Sequence, residues 1–304
     1  MGKLYAIADL HLGHQQNVEA WKTLTPRPED SLIIAGDVGE KAEHLRLAFG
    51  IARERFKQVF WVPGNHELYT MPSSNQKSTS QADSLNALTG VSKYLGCVEL
   101  ARECGVITPE DDYVRWDDGN GNEAIICPIF TLYDYSFRPA HVTRERALDW
   151  ALEVDIQATD EALLHPTPYE TRDEWCHARV ALTEPRLQAA ADTGLPLIII
   201  NHWPLREDLI YIPFIPRFSL WCGTKKTEDW HKRFKAKVVV TGHLHVRRSD
   251  WKDETRFEEV SLGYPRQWKD AKEHGNGINE ILREILPGPD ETSIPSTTIW
   301  RRYG

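Results

Sequence analysis

Cysteine and methionine are scarce in this chain of 304 residues, with five of the first and two of the second. The cysteines (Cys97, Cys104, Cys127, Cys176, Cys222) form no C-x-x-C pair and no even set. That argues against a disulfide framework and for free thiols in a reducing cytosol. No apolar run is long enough to span a bilayer. Positive charge is in deficit, with a formal net charge of −9. Broad nucleic-acid binding normally leaves a basic signature, so it is disfavoured, although a local basic patch is not excluded. The first polar motif begins at Asp9, which leaves no room for a signal peptide, and Ala6 stands where a myristoylation motif needs Ser or Thr. These absences point to a cytoplasmic protein without a membrane or nucleic-acid partner.

What remains is an ordinary globular composition, long enough to bury a substantial core. Short apolar runs predict strands over 3–9, 31–37, 58–63, 123–130, 196–201, 237–241 and 257–262. Several are continuously aliphatic, such as Leu32-Ile33-Ile34-Ala35 and Leu197-Ile198-Ile199-Ile200, as expected of strands covered on both faces. Leu45, Ala48, Phe49, Ala52 and Phe56 recur at helical spacing. Thr171 with Glu174 resembles a capping box opening another helix, which Pro185 is expected to kink or end. A third helix is predicted over 144–164. The fold class is therefore α/β, read as one domain over 1–304. Two insertions, at about 68–122 and 203–236, interrupt the pattern, and 287–304 reads as an irregular tail. Met71 to Gln76 reads as an exposed loop. Insertions at the ligand edge of such a sheet usually shape the substrate site.

Four motifs and one lone histidine stand at or just past these strand ends: Asp9-Leu10-His11, Gly36-Asp37, Gly64-Asn65-His66-Glu67, His202 and Gly242-His243-Leu244-His245. Together they supply two aspartates, one asparagine amide and five imidazoles. A single His202 would more often be structural, and Asp9-x-His11 alone is weak. The ordered set is not, because strand ends converge on one sheet edge and bring distant ligands together. It is the inventory for two adjacent divalent metals and one proton donor.

In this order the motifs resemble the calcineurin-like metallophosphoesterase superfamily, from about Lys3 to Leu262. The resemblance implies a four-layer α/β/β/α sandwich. It also implies that Asp9, His11, Asp37 and His245 hold one metal, that Asp37, Asn65, His202 and His243 hold the other, and that Asp37 bridges. A shared carboxylate allows cations about 3.5–4 Å apart that clamp one phosphate and activate one water. Mixed imidazole and oxygen donors suit manganese and/or iron, with zinc as an alternative, better than calcium. His66 would protonate the leaving oxygen. Asp9 or another carboxylate is expected to orient a ligand histidine from behind. In the protein-serine/threonine branch, Asp-Arg-Gly follows the second motif. Here Asp37 is followed by Val38-Gly39-Glu40, which speaks against protein phosphatase activity.

Longer stretches resemble the actinobacterial phosphopantetheinyl hydrolases, which act on acyl carrier protein. These are Thr171 to His177, Trp221 to Thr224 with Trp230-His231, Phe257 to Arg266, and Leu132 to Phe137. The resemblance implies phosphodiester cleavage on a carrier-protein serine. Carrier proteins are acidic, so Lys225-Lys226, Lys232-Arg233 and Arg247-Arg248 either form a docking face or are ordinary solvated surface. Trp203, Tyr211, Phe214, Phe218 and Trp221 either line a pantetheine groove or pack the insertion. Two other readings stay open: a phosphodiesterase or phosphatase on nucleotides or other small phosphoesters, and a scaffold without catalysis. The scaffold reading is disfavoured by eight intact site positions.

Overall fold

The computed structural model describes residues 2–71, 85–289 and 298–301. In chain order the strands are β1 (Leu4–Ile7), β2 (Arg27–Ile34), β3 (Phe56–Trp61), β4 (Val114–Asp117), β5 (Glu123–Pro128), β6 (Leu197–Ile200), β7 (Ala236–Thr241), β8 (Arg248–Lys252), β9 (Thr255–Glu259), β10 (Arg283–Leu286) and β11 (Thr298–Trp300). They form a four-stranded sheet in the order β10-β1-β2-β3 and a seven-stranded sheet in the order β11-β8-β9-β7-β6-β5-β4. Strands β1, β2 and β3 run parallel, as do β5, β6, β7 and β9.

The alternation of side chains along each strand builds the layers. Leu4, Ala6, Ala8, Ile33 and Phe60 of the first sheet pack against Ile126, Ile198, Ile200, Val238 and Val240 of the second, forming an aliphatic core between the sheets. Their neighbours Tyr5, Ile7, Leu32, Ile34, Leu197 and Ile199 face outward onto helical residues such as Leu45, Phe49, Trp175 and Leu187. Both faces of these strands are thus covered, which is why they read as unbroken aliphatic runs. The result is the expected α/β/β/α sandwich. At one end the sheets meet: Ala8 bridges to Ser261, just beyond β9.

Several expectations need correction. The region 144–164 is not one helix. It holds Ala147–Leu152 and Asp160–Leu163, separated by a turn in which Asp155 takes a left-handed φ of 55°. The helix Arg172–Ala191 runs through Pro185. Pro185 and Ala181, whose carbonyl the proline cannot bond, both lie on the exposed face, where water can serve that carbonyl. The capping box is half formed. Glu174 N–H donates to the Thr171 hydroxyl, but the Glu174 carboxylate accepts from Glu170 N–H instead of Thr171. The described residues of 68–122 include the helix Gly90–Glu103 and the edge strand β4, which are framework. Tyr94, Cys97, Val98 and Ala101 give that helix a buried stripe. The expected loop Met71 to Gln76 lies outside the described residues beyond Met71. The tail is not wholly irregular, because Thr298–Trp300 pairs antiparallel with β8. Residues 203–236 form three short 3-10 turns and the helix Trp230–Arg233.

Candidate metal centre

Each motif follows the carboxyl end of a parallel strand, at the end where the two sheets meet. Asp9 and His11 follow β1, Asp37 follows β2, Asn65 and His66 follow β3, His202 follows β6, and His243 and His245 follow β7. Glycines let these turns approach closely. A Cβ on Gly64 would lie 2.1 Å from Asp37 Oδ1, and one on Gly242 would lie 2.4 Å from Asp9 Oδ2. Five polar residues here take left-handed backbone: Asp9 (φ 54°), His11 (42°), Asp37 (53°), His243 (74°) and His245 (55°). Such conformations cost roughly 1–3 kcal/mol each and persist where the surroundings impose them.

The structure brings the proposed ligands together in two groups that share Asp37. Asp9, His11, Asp37 and His245 place one donor atom each within 4.8 Å of one another, and so do Asp37, His202 and His243. His11 Nε2 lies 3.1 Å from His245 Nε2, and His243 Nδ1 lies 3.2 Å from His202 Nε2. Nitrogen or oxygen donors on one cation with bonds near 2.1 Å sit about 3.0–3.4 Å apart.

Hydrogen bonding behind the rings tests the fit. Gln267 Oε1 accepts from Tyr264 N–H, which fixes the amide orientation, and it lies 2.7 Å from His245 Nδ1. Nδ1 therefore carries the proton. Nε2, 2.9 Å from Asp9 Oδ1, then needs either a proton or a cation between it and the carboxylate. His202 repeats the arrangement. Its Nδ1 donates to the Ala35 carbonyl at 2.8 Å, and its Nε2 faces Asp37 Oδ2 at 3.5 Å. Asn65 donates its amide N–H groups to Tyr69 and Asp160, which leaves Oδ1 a buried acceptor without a hydrogen-bond partner. The donor set fits two divalent cations.

Electrostatics agree. Burial and neighbouring imidazoles hold His11 and His243 well below the usual range, as neutral lone-pair donors. Asp9 is fully buried, which alone would raise it, yet the surrounding histidines pull it far below the carboxylate range. Burial lowers His245, but Asp9 outweighs burial and raises it, so without a cation this pair holds a proton instead.

His66 stands apart. Its Nδ1 lies 2.7 Å from Glu40 Oε1, and its Nε2 lies 3.8 Å from Asp37 Oδ2. Burial opposes its charge, but Asp37 and the Glu40 bond prevail and raise it to about 9. Glu67 joins the second and third motifs by accepting from the backbone N–H of Asp37, Val38 and Gly64.

Sequence reasoning missed Glu40, Gln267, Asp160 and Tyr264, which position the motif residues. Tyr264 stacks on His11 with centroids 4.3 Å apart. Only Tyr264 carried a signal, as part of the stretch Phe257 to Arg266. The expected carboxylate behind a ligand histidine is replaced by an amide and a backbone carbonyl, and the carboxylate in that role, Glu40, serves His66.

The centre opens into a cleft of about 230 Å³, with Ile212, Ile215 and Phe218 on one side and Tyr264 and Arg266 also in its lining. Of the aromatic residues expected to line a groove, Phe218 does so, stacking on His243 at 5.9 Å. Trp203 and Trp221 are buried in the core, while Phe214 is 97% exposed and Tyr211 packs on Trp300. The expected basic face is largely dispersed. Lys225 pairs with Glu207, Lys232 with Asp253 and Arg233 with Glu184. Arg247 and Arg248 are buried, bonding to backbone carbonyls and to Asp250.

The profile of the calcineurin-like phosphoesterases matches residues 2–247. The chain belongs to this family. The phosphoesterase is also 44% identical over 288 residues to the [acyl-carrier-protein] phosphodiesterase PptH of Mycobacterium tuberculosis, covering 94% of this chain and 84% of that protein. It superimposes on the crystal structure of that phosphopantetheinyl hydrolase with a TM-score of 0.85 at 43% identity, covering 96% of this chain and 98% of the other. No helix among the described residues is long and apolar enough to cross a membrane.

Proposed function

We propose that this phosphoesterase removes 4′-phosphopantetheine from holo acyl carrier protein in the cytoplasm, with no nucleic-acid or membrane partner. The observation that carries the reading is 44% identity, over nearly the whole chain, to a protein named for that activity. In this reading Asp9, His11, Asp37 and His245 hold one cation, and Asp37, Asn65, His202 and His243 hold the other. Manganese and/or iron suit the donors, with zinc as an alternative. Bound there, the cations supply an activated water and neutralise phosphoryl charge.

The chain's own residues do the rest. Asp37 belongs to both donor groups and sets their spacing. Gln267 and the Ala35 carbonyl fix the tautomers of His245 and His202. Glu40 holds the Nδ1 proton of His66, so Nε2 faces the cleft and delivers its proton to the serine oxygen as the P–O bond to serine breaks. Water adds to phosphorus, 4′-phosphopantetheine leaves with its own ester intact, and serine is restored.

The test is mass spectrometry of holo carrier protein incubated with enzyme and manganese. Loss of the phosphopantetheine mass with serine regenerated supports the reading. An unchanged carrier, with rapid cleavage of nucleotide diesters, overturns it in favour of a small-molecule phosphoesterase.

A further inference from the structure

The proposed substrate has two unlike arms joined at phosphorus, an acidic protein on one side and an uncharged pantetheine chain on the other. The cleft has two unlike ends. On the His243 side it is apolar: Phe218 stacks on that ring, Ile212 belongs to the same apolar cluster as Phe218, and Ile215, whose carbonyl accepts from Phe218 N–H, also lines the cleft. On the His11 side stand His66, with its ring centroid 4.6 Å from that of His11, and Tyr264, stacked on the same ring.

Tyr264 opens the 3-10 turn Pro265–Gln267. This turn sends Gln267 back to His245 and leaves Arg266 exposed at the cleft mouth. Arg266 also lines a second pocket of about 520 Å³ floored by Trp268, which Lys269, Lys272 and Glu273 complete. Three cations face one carboxylate there, and that carboxylate pairs only with Lys269, at 3.4 Å, among the described residues. Arg266 and Lys272 make no ion pair among the described residues. Lys272 rests its ammonium 5.8 Å from the Trp268 ring.

Resting on the function proposed above, we infer that the phosphodiester lies across the centre in one direction. The carrier protein docks over Arg266, Lys269 and Lys272, and the pantetheine arm runs along Ile212, Ile215 and Phe218. One consequence of the proposed reaction and one observation of the structure choose this direction. The oxygen that leaves is the serine's, so the carrier must be at the end where His66 can reach it. Arg266, on that side of the cleft, continues into a pocket with surplus positive charge, complementary to an acidic partner. A second pocket, lined by Arg138, Arg144, Lys225 and Lys226 together with Asp134 and Asp173, shares no lining residue with the metal cleft, and its Arg144 and Lys225 are already paired, with Asp173 and Glu207.

The experiment uses manganese-loaded enzyme with three substrates: holo carrier protein, the p-nitrophenyl diester of 4′-phosphopantetheine, and bis(p-nitrophenyl) phosphate. The double variant Lys269→Glu/Lys272→Glu raises KM for holo carrier about ten-fold, fading as salt rises, and leaves both small diesters unchanged. Ile215→Ser raises KM for holo carrier and for the pantetheine ester by similar factors. Lys225→Glu/Lys226→Glu is the matched control and leaves KM unchanged for all three. The direction is overturned if the wild type cleaves holo carrier and the Lys269/Lys272 reversal changes nothing, slows the small diesters equally, or is exceeded by the control. If the wild type releases no phosphopantetheine from holo carrier, the function itself fails and the inference falls with it.

Discussion

Glu40 provides the sharpest test of how the site works, because it touches the proposed proton donor and none of the proposed metal ligands. Its Oε1 lies 2.7 Å from His66 Nδ1, and both side chains are mostly buried. A charge-assisted bond of this kind is worth roughly 1.5–3 kcal/mol. If that energy stabilises His66 in its proton-donating geometry, Glu40→Ala lowers turnover on holo carrier by about 10- to 150-fold, at about 1.4 kcal/mol per decade. Glu40→Gln keeps an acceptor oxygen but loses the charge, so about half the energy is lost and turnover falls roughly 3- to 12-fold. His66→Ala sets the limit, at roughly 10²- to 10⁴-fold. All three variants keep their metal by elemental analysis. On bis(p-nitrophenyl) phosphate, whose leaving group needs little protonation, all three lie close to wild type. Loss of metal from Glu40→Gln, or equal losses on the activated and the natural ester, would refute the assignment of Glu40 as the group that holds a general acid.

Asp37→Asn weakens a ligand shared by both donor groups, so most bound metal and activity are lost; two full equivalents of metal in that variant would remove Asp37 from the bridging position. Gly64→Ala also loses metal, because its Cβ falls 2.1 Å from Asp37 Oδ1 while its φ of −99° is open to alanine; a variant with normal metal content would show that the loop gives way. Chelation of the loaded enzyme lowers the melting temperature, since ion at 100-fold over its Kd contributes about 2.7 kcal/mol per site, and a scan unchanged by chelator would mean that the ions do not favour the folded state. Thr171→Ala costs about 1 kcal/mol through the lost cap to Glu174 N–H, read by urea denaturation, with no change in turnover.

The motif residues were legible because each follows a short apolar run, and such strands place the residues after them at one end of their sheet. The layered fold was legible for the same reason: Leu197-Ile198-Ile199-Ile200 has no polar face, so something must cover both sides. The residues behind the motifs were not. Glu40 reads as an ordinary surface glutamate, and Gln267 lies well beyond the last ligand motif. Their partners are set by where turns end in space, which no local pattern records. The left-handed backbone at five motif residues was equally hidden, because nothing in Asp or His asks for it. Arg247 and Arg248 misled in the opposite sense, since a pair of adjacent arginines reads as solvated surface until the carbonyls around them are known. The half-formed cap at Thr171 shows a finer limit: the right residues stood at the right spacing, but the carboxylate turned to Glu170 instead.

Both donor groups draw on both sheets. His245 comes from the seven-stranded sheet to meet Asp9, His11 and Asp37 of the four-stranded one, and His202 and His243 cross the same gap toward Asp37. An ion held there would act as a rivet through two plates that also share a layer of apolar side chains, the backbone bridge at Ala8 and Ser261, and the Arg283–Glu258 ion pair. Emptying the site would leave each plate intact and loosen their registry at that end. The amides that exchange faster on chelation should therefore be those around Ala8, Ser261 and Thr241, where the plates meet, while the helices on the outer faces keep their protection.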